Sequence, residues 1–292
     1  MNQASNSVQN IFTVDLEEWF VVEALSTRYR LDDWTSLPSM VVRNSLRLLE
    51  MLERQDVKAT WFVLGWCADR YPDLIQHIFA SGHEIACHSY YHRRVDLIGR
   101  ERFKKDTEMA VNAILKATGV LPYGFRAPSW SINSTTPWAF ETLAEMGFLY
   151  DSSVFPIKHD IYGWPDGPRH LFKMEFPSGR SLLELPATTY RLLGKNVPVA
   201  GGGYFRHSPY WYSKKVIEGL NRAGHSAIFY IHPWEIDPEL PRVEGLSALQ
   251  KFRTYGSTEI LRHKVEHLLA DFSFTTASDY MRLFKKKRIG FE

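Results

Sequence analysis

Residues 57–92 read VKATWFVLGWCADRYPDLIQHIFASGHEIACHSYYH, and this stretch decides the fold. The apolar run 57–64 predicts a strand. Residues 68–80 have helical periodicity and are followed by Gly82, a common helix stop. The run 83–87 predicts a second strand. A strand, a helix and another strand in close succession favour two parallel strands joined by a crossover helix.

The same alternation continues over the rest of the chain. Strands are predicted at 11–16, 123–126, 148–150, 182–185, 226–231 and 272–276, and helices at 40–54, 100–118, 135–146, 210–223 and 260–270. This order is typical of an α/β protein with a parallel sheet. The stretches 155–180 and 197–209 interrupt it and are predicted to be long loops over one mouth of a barrel. Long loops in compact domains are often functional.

Composition limits the class of protein. The chain has 292 residues, of which 45% are hydrophobic and 23% charged, so it is not globally disordered. Its basic and acidic residues nearly balance, with a net charge of +2, which does not indicate a nucleic-acid-binding surface. No nucleic-acid partner is therefore expected. No linker or repeat divides the sequence. We therefore expect a single domain over residues 1–292 with a basic C-terminal tail.

Location is also indicated by the sequence. No apolar run reaches the roughly 18 residues of a spanning helix, and residues 1–10 lack a signal-peptide pattern, so we expect a cytoplasmic protein. Cys67 and Cys87 lie in apolar surroundings and are expected to be buried free thiols. The tail is either simply solvated or weakly attracted to an anionic membrane surface through Lys285, Lys286, Lys287 and Arg288.

Two histidines, His88 and His92, directly follow the predicted strand 83–87. Neutral imidazoles are the commonest protein ligands of Zn²⁺. If the chain turns helically after the strand, this spacing lets both side chains reach one ion. The spacing also occurs in purely structural histidine pairs, so it gains weight only from further ligands nearby.

A cluster of carboxylates ends the first strand, in the tetrapeptide Asp15-Leu16-Glu17-Glu18. Side chains two apart on a strand share a face, so Asp15 and Glu17 point the same way while Leu16 packs inside. In barrel folds, active sites lie at the carboxyl ends of the strands. One of the two carboxylates is suited to bind a metal and the other to act as a base. The alternative is a solvated acidic turn.

Three further strand ends carry Arg126, Asp151 and His232. An arginine in such a place favours the ionised form of a neighbouring carboxylate. Each residue has a structural alternative, which is respectively an exposed arginine, an Asx turn and a buried structural histidine. Five strand ends that each deliver Asp, His or Arg together predict one active site.

The five ordered motifs resemble the polysaccharide deacetylase family, the NodB-homology carbohydrate esterases. They span residues 12–232. The segments 155–160, 200–206 and 232–237 resemble one branch, whose deacetylases are encoded with bacterial exopolysaccharide and exosortase systems. The resemblance implies an α/β fold, a distorted (β/α) barrel of the NodB-homology type with fewer than eight complete strand–helix units.

The resemblance also implies roles for individual residues. Asp15 matches the general base, Arg126 the arginine that orients and charges it, His232 the general acid, and Asp151 the carboxylate that tunes this acid. His88 and His92 match the metal-binding histidines.

One position departs from the family pattern. Many family members carry a second, metal-binding aspartate directly after the first, where this chain has Leu16. In some branches one residue separates the two acids, as D-x-D or D-x-E, which fits Asp15 and Glu17. We therefore expect Glu17 to be the metal carboxylate, with Glu18 as a weaker candidate. The expected cofactor is one divalent ion, Zn²⁺ in first place and Co²⁺, Ni²⁺ or Fe²⁺ as alternatives.

The activity implied is metal-dependent removal of N-acetyl groups from amino sugars of a bacterial polysaccharide or of its lipid-linked precursor. The expected partner is thus an N-acetylated oligo- or polysaccharide. We expect a backbone N–H at Ser129 to hold the oxyanion of this substrate. The aromatic rings of the loops are expected to stack on its sugar rings; they are Trp130, Trp164, Tyr204 and Trp234. The alternatives are a related amidase or deformylase on a small-molecule or lipid-linked sugar amide, and a non-catalytic metal-bound sugar-binding protein.

Overall fold

The computed structural model describes residues 8–289, and their side chains as far as residue 283. The strands are β1 (Asn10–Leu16), β2 (Thr60–Val63), β3 (Glu84–Cys87), β4 (Gly124–Phe125), β5 (Tyr150–Asp151), β6 (Phe172–Glu175), β7 (Ser181–Glu184), β8 (Thr189–Leu192), β9 (Lys195–Pro198), β10 (Ile228–Ile231) and β11 (Phe274–Thr275). The helices are α1 (Val41–Arg54), α2 (Gly65–Arg70), α3 (Pro72–Ala80), α4 (Val95–Ile98), α5 (Arg100–Thr118), α6 (Pro137–Glu145), α7 (Gly202–His207), α8 (Tyr210–Arg222), α9 (Ala248–Tyr255), α10 (Thr258–Asp271) and α11 (Ala277–Ile289).

One curled sheet organises the molecule. Within residues 8–289 it contains nine strands in the order β10-β1-β2-β3-β4-β5-β7-β6, and β11 adds to β1. All neighbours are parallel except β6, which pairs antiparallel with β7 at the edge. The sheet stays open between β6 and β10. The fold is therefore a distorted (β/α) barrel with fewer than eight complete strand–helix units, as predicted.

The first strand shows how the barrel presents its side chains. Every residue of β1 is buried, as expected for a parallel strand covered on both faces. Phe12, Val14 and Leu16 belong to the main hydrophobic cluster, which the helices cover. The alternate residues Thr13 and Asp15 therefore face the barrel interior, where Arg126 contacts both side chains.

Several element predictions need correction. The predicted helix 68–80 is two helices, because Pro72 cannot continue α2 and instead occupies the first turn of α3. The predicted loop 155–180 contains β6, and the predicted loop 197–209 contains α7. β6 has four residues and α7 has six, and proline or glycine lies next to or close to both elements. Local periodicity therefore gave no signal for them.

Four further observations complete the description of the fold. The hairpin β8–β9 forms a separate two-stranded sheet that the sequence did not predict. Cys67 and Cys87 are buried free thiols, as expected. In the part of the chain that the structure describes, no helix combines the length and apolar character needed to cross a bilayer. The side chains of Lys285, Lys286, Lys287 and Arg288 lie outside the described residues.

Candidate active site

The predicted residues meet at the carboxyl ends of the parallel strands. Asp15 lies near the end of β1 and Glu17 directly follows that strand, while His88 follows β3 and His232 follows β10. Since β10 and β1 are neighbours and β3 lies two strands further on, sequence-distant side chains converge there. They line a cleft of about 560 Å³ that is bordered by the segments 159–162, 202–208 and 249–253.

Arg126 is clamped beneath this cleft and holds Asp15. Its Nη1 donates to Oδ1 of Asp15 at 2.6 Å and to the Thr13 hydroxyl at 2.8 Å. Its Nε and Nη2 donate to the carbonyl and hydroxyl oxygens of Ser152 at 3.1 and 2.9 Å. The guanidinium is fully buried and lies 4.0 Å from the centre of the Phe62 ring. Asp15 therefore has one fixed oxygen, while Oδ2 is left towards the cleft.

Glu17, His88 and His92 form the candidate metal centre. One ligand atom from each lies within 4.8 Å of the others. Nε2 of His92 is 2.8 Å and Nε2 of His88 is 3.6 Å from the same Glu17 oxygen, Oε2. Burial would raise the pKa of Glu17, but the charges of His92 and of the neighbouring His232 lower it well below its ordinary value. The three side chains thus form a compact ligand set that includes one anionic carboxylate.

The chemistry of these donors fits a divalent metal. Oε2 of Glu17 is buried and has no hydrogen bond of good geometry, although both imidazoles lie near it. Nδ1 of His88 lies 2.8 Å from the carbonyl oxygen of Arg126. A ligand histidine usually donates its second ring N–H to such a carbonyl, which leaves the other nitrogen free to bind. Two imidazoles and a carboxylate suit Zn²⁺ and also Co²⁺, Ni²⁺ or Fe²⁺.

The carboxylate of Glu18 lies at the start of α1 and not in the candidate metal centre. Its carboxylate accepts hydrogen bonds from the Ser39 hydroxyl and from the backbone N–H groups of Met40, at 3.1 Å, and Val41, at 3.5 Å. It therefore satisfies donors at the start of α1, which otherwise have no partner within the helix. The alternation argument, which favoured Glu17 over Glu18 as the metal carboxylate, agrees with this geometry.

The turn between the two histidines is not helical, although a helical turn was the condition under which their spacing was predicted to bring both side chains to one ion. Ser89 and His92 have φ of 61° and 54°, so the chain passes twice through the left-handed region. Ser129 and Trp130, in the short 3-10 turn after the neighbouring β4, have φ of 52° and 50°. Non-glycine residues seldom adopt this conformation, and such strain clusters at functional sites.

His232 contacts Glu235 rather than Asp151. Its Nδ1 lies 2.9 Å from Oε2 of Glu235, whose oxygen also accepts the backbone N–H of His232. The other ring nitrogen, Nε2, lies 3.6 Å from Oε1 of Glu17 and 3.9 Å from Oδ2 of Asp15. The prediction that Asp151 tunes His232 is therefore wrong, because β1 to β4 lie between β5 and β10 in the sheet.

Asp151 belongs to a separate buried acid pair. It is the register partner of Glu184 on β7, and both side chains are inaccessible to solvent. Ser153 donates to Asp151 at 2.6 Å, and the backbone N–H of Val154 donates to Glu184 at 2.9 Å. Burial raises the pKa of Asp151 to about 6, and burial together with the charge of Asp151 raises that of Glu184 well above its ordinary value. Both shifts favour a protonated form of the pair over the doubly ionised form.

Sequence reasoning missed two residues of the site, Glu235 and Arg206. Glu235 comes three residues after His232, a spacing that lets a side chain reach back to the first backbone N–H of a helical turn. Arg206, on α7, is also buried, and its Nε lies 3.8 Å from Oε1 of Glu235. The first could have been found from its spacing, whereas the second lay in a predicted loop.

The expected substrate-binding residues line the cleft. They are Ser129, Trp130, Tyr204 and Trp234. Trp234 stacks on the ring of His232 with centroids 5.1 Å apart, and the Tyr204 hydroxyl lies 3.4 Å from that of Tyr162. Trp164, the remaining aromatic residue expected to contact sugar, packs near Phe140 instead. The cleft thus has aromatic walls around a polar, charged floor.

The fold and the site define a class: an incomplete parallel barrel with a metal-ligand cluster, a clamped carboxylate and a histidine at the carboxyl ends of its strands. Residues 32–149 match the polysaccharide deacetylase family model, and residues 152–282 match a domain of unknown function, DUF3473. Residues 32–149 of this chain therefore resemble a polysaccharide deacetylase domain. Strands from both matched ranges lie in the one sheet.

Individual relatives agree with this assignment. The peptidoglycan deacetylase-like protein FGM2 of Gibberella zeae is 34% identical over 158 residues, which are 49% of this chain and 46% of that protein. A Mycobacterium smegmatis structure described as a polysaccharide deacetylase has a TM-score of 0.64 at 22% identity and covers 98% of this chain and 94% of its own. Puue allantoinase has a TM-score of 0.62 at 17% identity, with coverage of 96% and 91%. At these identities the two structures show the fold alone.

Proposed function

We propose that this protein is a metal-dependent deacetylase that hydrolyses N-acetyl groups of amino sugars in a bacterial polysaccharide or its lipid-linked precursor. The observation that carries the proposal is the arrangement around Glu17. A clamped carboxylate, Asp15, and a histidine, His232, face each other beside the three candidate metal ligands. The name of the Gibberella zeae relative supports an acetylated glycan as the substrate class.

The first half of the reaction is the attack of water on the acetyl carbonyl, and several residues of the cleft contribute to it. Glu17, His88 and His92 would hold a divalent ion, which when bound would supply Lewis-acid polarisation of the acetyl carbonyl and would make water more acidic. Asp15, whose Oδ2 faces the cleft, accepts a proton from the attacking water, while Arg126 fixes the other carboxylate oxygen. The turn at Ser129 lies at the edge of the cleft, where a backbone N–H is suited to stabilise the developing oxyanion.

His232 completes the second half of the reaction. The amide C–N bond breaks only if the departing sugar amine receives a proton, and Nε2 of His232 is the nitrogen that faces the cleft. Glu235 holds the other nitrogen and stabilises the charged imidazole. The products are acetate and a free amino sugar. Aromatic side chains such as Trp234 and Tyr204 are placed to contact sugar rings on the cleft walls.

The test is acetate release from N-acetylglucosamine oligomers, with and without a chelator, followed by re-addition of Zn²⁺, Co²⁺, Ni²⁺ or Fe²⁺. We expect acetate from the untreated protein, loss with the chelator and recovery with at least one ion. Release of formate from N-formyl sugars without any acetate would favour the related deformylase or amidase. Binding of the oligomer without release of either acid would favour the non-catalytic alternative.

A further inference from the structure

The tip of the β8–β9 hairpin combines exposed leucines with a strained backbone. In the register of this hairpin Leu192 pairs with Lys195, so Leu193 and Gly194 alone form the turn. Both have positive φ, 47° and 79°, as a type I′ turn requires. Leu193 is 94% exposed and Leu192 48% exposed. Asparagine or glycine is the favoured residue at such a position, so the leucine costs both backbone strain and exposed apolar surface.

The body of the hairpin is anchored, which holds the tip outward. Nδ2 of Asn196 donates to the carbonyl oxygens of Pro156 at 2.8 Å and Pro165 at 3.4 Å. Asn196 pairs with Arg191, so these two side chains share one face of the hairpin. Tyr190 and Leu192, which alternate with Arg191, lie on the other face and are exposed. The apolar residues of the tip therefore lack protein cover on a supported element.

The surroundings of the tip are basic. Two basic residues, Arg191 and Lys195, flank the turn, and residues 185–217 contain no aspartate or glutamate. Neither of these two has a carboxylate within 4 Å in the described part of the chain. Burial and the neighbouring charge of Arg191 lower the pKa of Arg169, so further positive charge lies close by. This charge fits an anionic surface and opposes a basic one.

An aromatic residue of interfacial character lies in the same region. Trp211 on α8 is 60% exposed, and the ammonium group of Lys215 lies 5.5 Å from its ring centre. The adjacent Tyr212 is near enough to Tyr190 of the hairpin for the two hydroxyls to influence each other. Exposed tryptophan with flanking lysine and arginine is typical of protein surfaces that lie in the headgroup region of a bilayer.

We propose that the β8–β9 hairpin docks this protein on an anionic lipid surface, with Leu192 and Leu193 entering the interface and Arg191 and Lys195 at the level of the headgroups. The contact is peripheral. It goes beyond the proposed catalytic function, because it uses none of the residues of the cleft. It would bring the enzyme to substrates that are themselves attached to lipid.

The test is co-sedimentation of the full chain with vesicles of phosphatidylcholine alone and of phosphatidylcholine mixed with phosphatidylglycerol. We expect binding to the anionic vesicles that weakens as NaCl is raised. Leu193→Asn should reduce the partition coefficient about tenfold, since a leucine that leaves an apolar environment changes an equilibrium by that order. Replacing Arg191 or Lys195 with glutamine should each reduce it about fivefold.

Leu193→Asn also separates binding from folding. Asparagine tolerates the left-handed conformation better than leucine does. The melting temperature of the Leu193→Asn variant should therefore equal or exceed that of the parent. Leu97→Asn is the matched control, because Leu97 is 74% exposed on α4, outside the hairpin, and should leave vesicle binding unchanged. Acetate release from soluble oligomers should be the same in all these variants, so a failure of this proposal is distinguishable from a failure of the proposed function.

Two results would overturn the proposal. One is equal binding of the parent, Leu193→Asn and the two charge variants, which would point to another element such as the basic tail. The other is a parent that binds no vesicle but forms a dimer that Leu193→Asn dissociates in light-scattering measurements. The hairpin would then be a contact between protein copies.

Discussion

Nδ1 of His232 and Oε2 of Glu235 lie 2.9 Å apart. This contact fixes the imidazole ring so that Nε2 faces Asp15 and Glu17 across the cleft. Burial would lower the pKa of His232, but the carboxylates of Glu17, Glu235 and Asp15 raise it to about 9. Burial would likewise raise the pKa of Glu235, and His232 lowers it. The two side chains therefore form a charged pair that suits a general acid.

Glu235→Gln should reduce kcat by roughly 10²-fold, because the variant keeps an acceptor near His232 but removes the negative charge that stabilises the imidazolium. KM and metal content should change little, since Glu235 is not among the candidate metal ligands. Steady-state kinetics on N-acetylglucosamine oligomers and elemental analysis would check this. Asp151→Asn is the comparison variant and should lose much less kcat. The assignment fails if Asp151→Asn is the more damaging change.

Glu17→Ala should lose bound metal, and Glu18→Ala should keep it. Glu17 offers a buried oxygen to His88 and His92, whereas the carboxylate of Glu18 is engaged at the start of α1. Glu18→Ala should instead lower the free energy of unfolding by about 1 kcal/mol, the typical effect of losing a helix cap. Elemental analysis and urea denaturation measure the two effects. Equal metal content in Glu17→Ala and the parent would remove Glu17 from the metal centre.

Asp15→Asn should keep the fold and much of the metal while the rate of acetate release falls about 10²–10⁴-fold, the usual cost of losing a general base. Arg126 can still donate to the amide oxygen, so the side chain should stay in place. Circular dichroism, elemental analysis and the acetate assay together test this. A variant that retains near-parent activity would show that another group takes the proton from water.

Glu184→Gln should stabilise the protein more at pH 8 than at pH 5. The pKa values of Asp151 and Glu184 are raised on folding, so the favourable contribution of the pair is full below about pH 4 and is lost as the pH rises through about 6. Glutamine carries no charge and offers an N–H to Asp151, as the protonated acid does. At pH 8 the free energy of unfolding of the variant should exceed that of the parent by on the order of 2 kcal/mol.

The measurement is thermal unfolding of parent and variant at both pH values in the presence of the same metal. Comparing the variant with the parent at each pH cancels the titration of the histidines, which both proteins share. A variant that is destabilised equally at pH 5 and pH 8 would show that the pair does not hold a proton near neutral pH.

The sequence by itself determined the barrel class and most of the residues around the cleft. The strand–helix periodicity of residues 57–92 fixes parallel strands, and parallel strands necessarily collect their carboxyl ends at one edge. A polar residue at a strand end therefore indicates a site residue even when its partners are distant in the chain. Strand alternation likewise separated Glu17 from Glu18, because period two is a local property of the backbone.

Only the tertiary structure decided which carboxylate contacts His232 and which one pairs with another acid. Asp151 ends a strand as His232 does, but the sheet order places β1 to β4 between them and sets Asp151 beside Glu184. The three-residue spacing of Glu235 from His232 is visible in the sequence, but only the structure shows that this carboxylate, and not that of Asp151, contacts the imidazole. Hydrogen-bond partners depend on distances of a few ångströms across elements far apart in sequence, and local pattern carries no information on those distances.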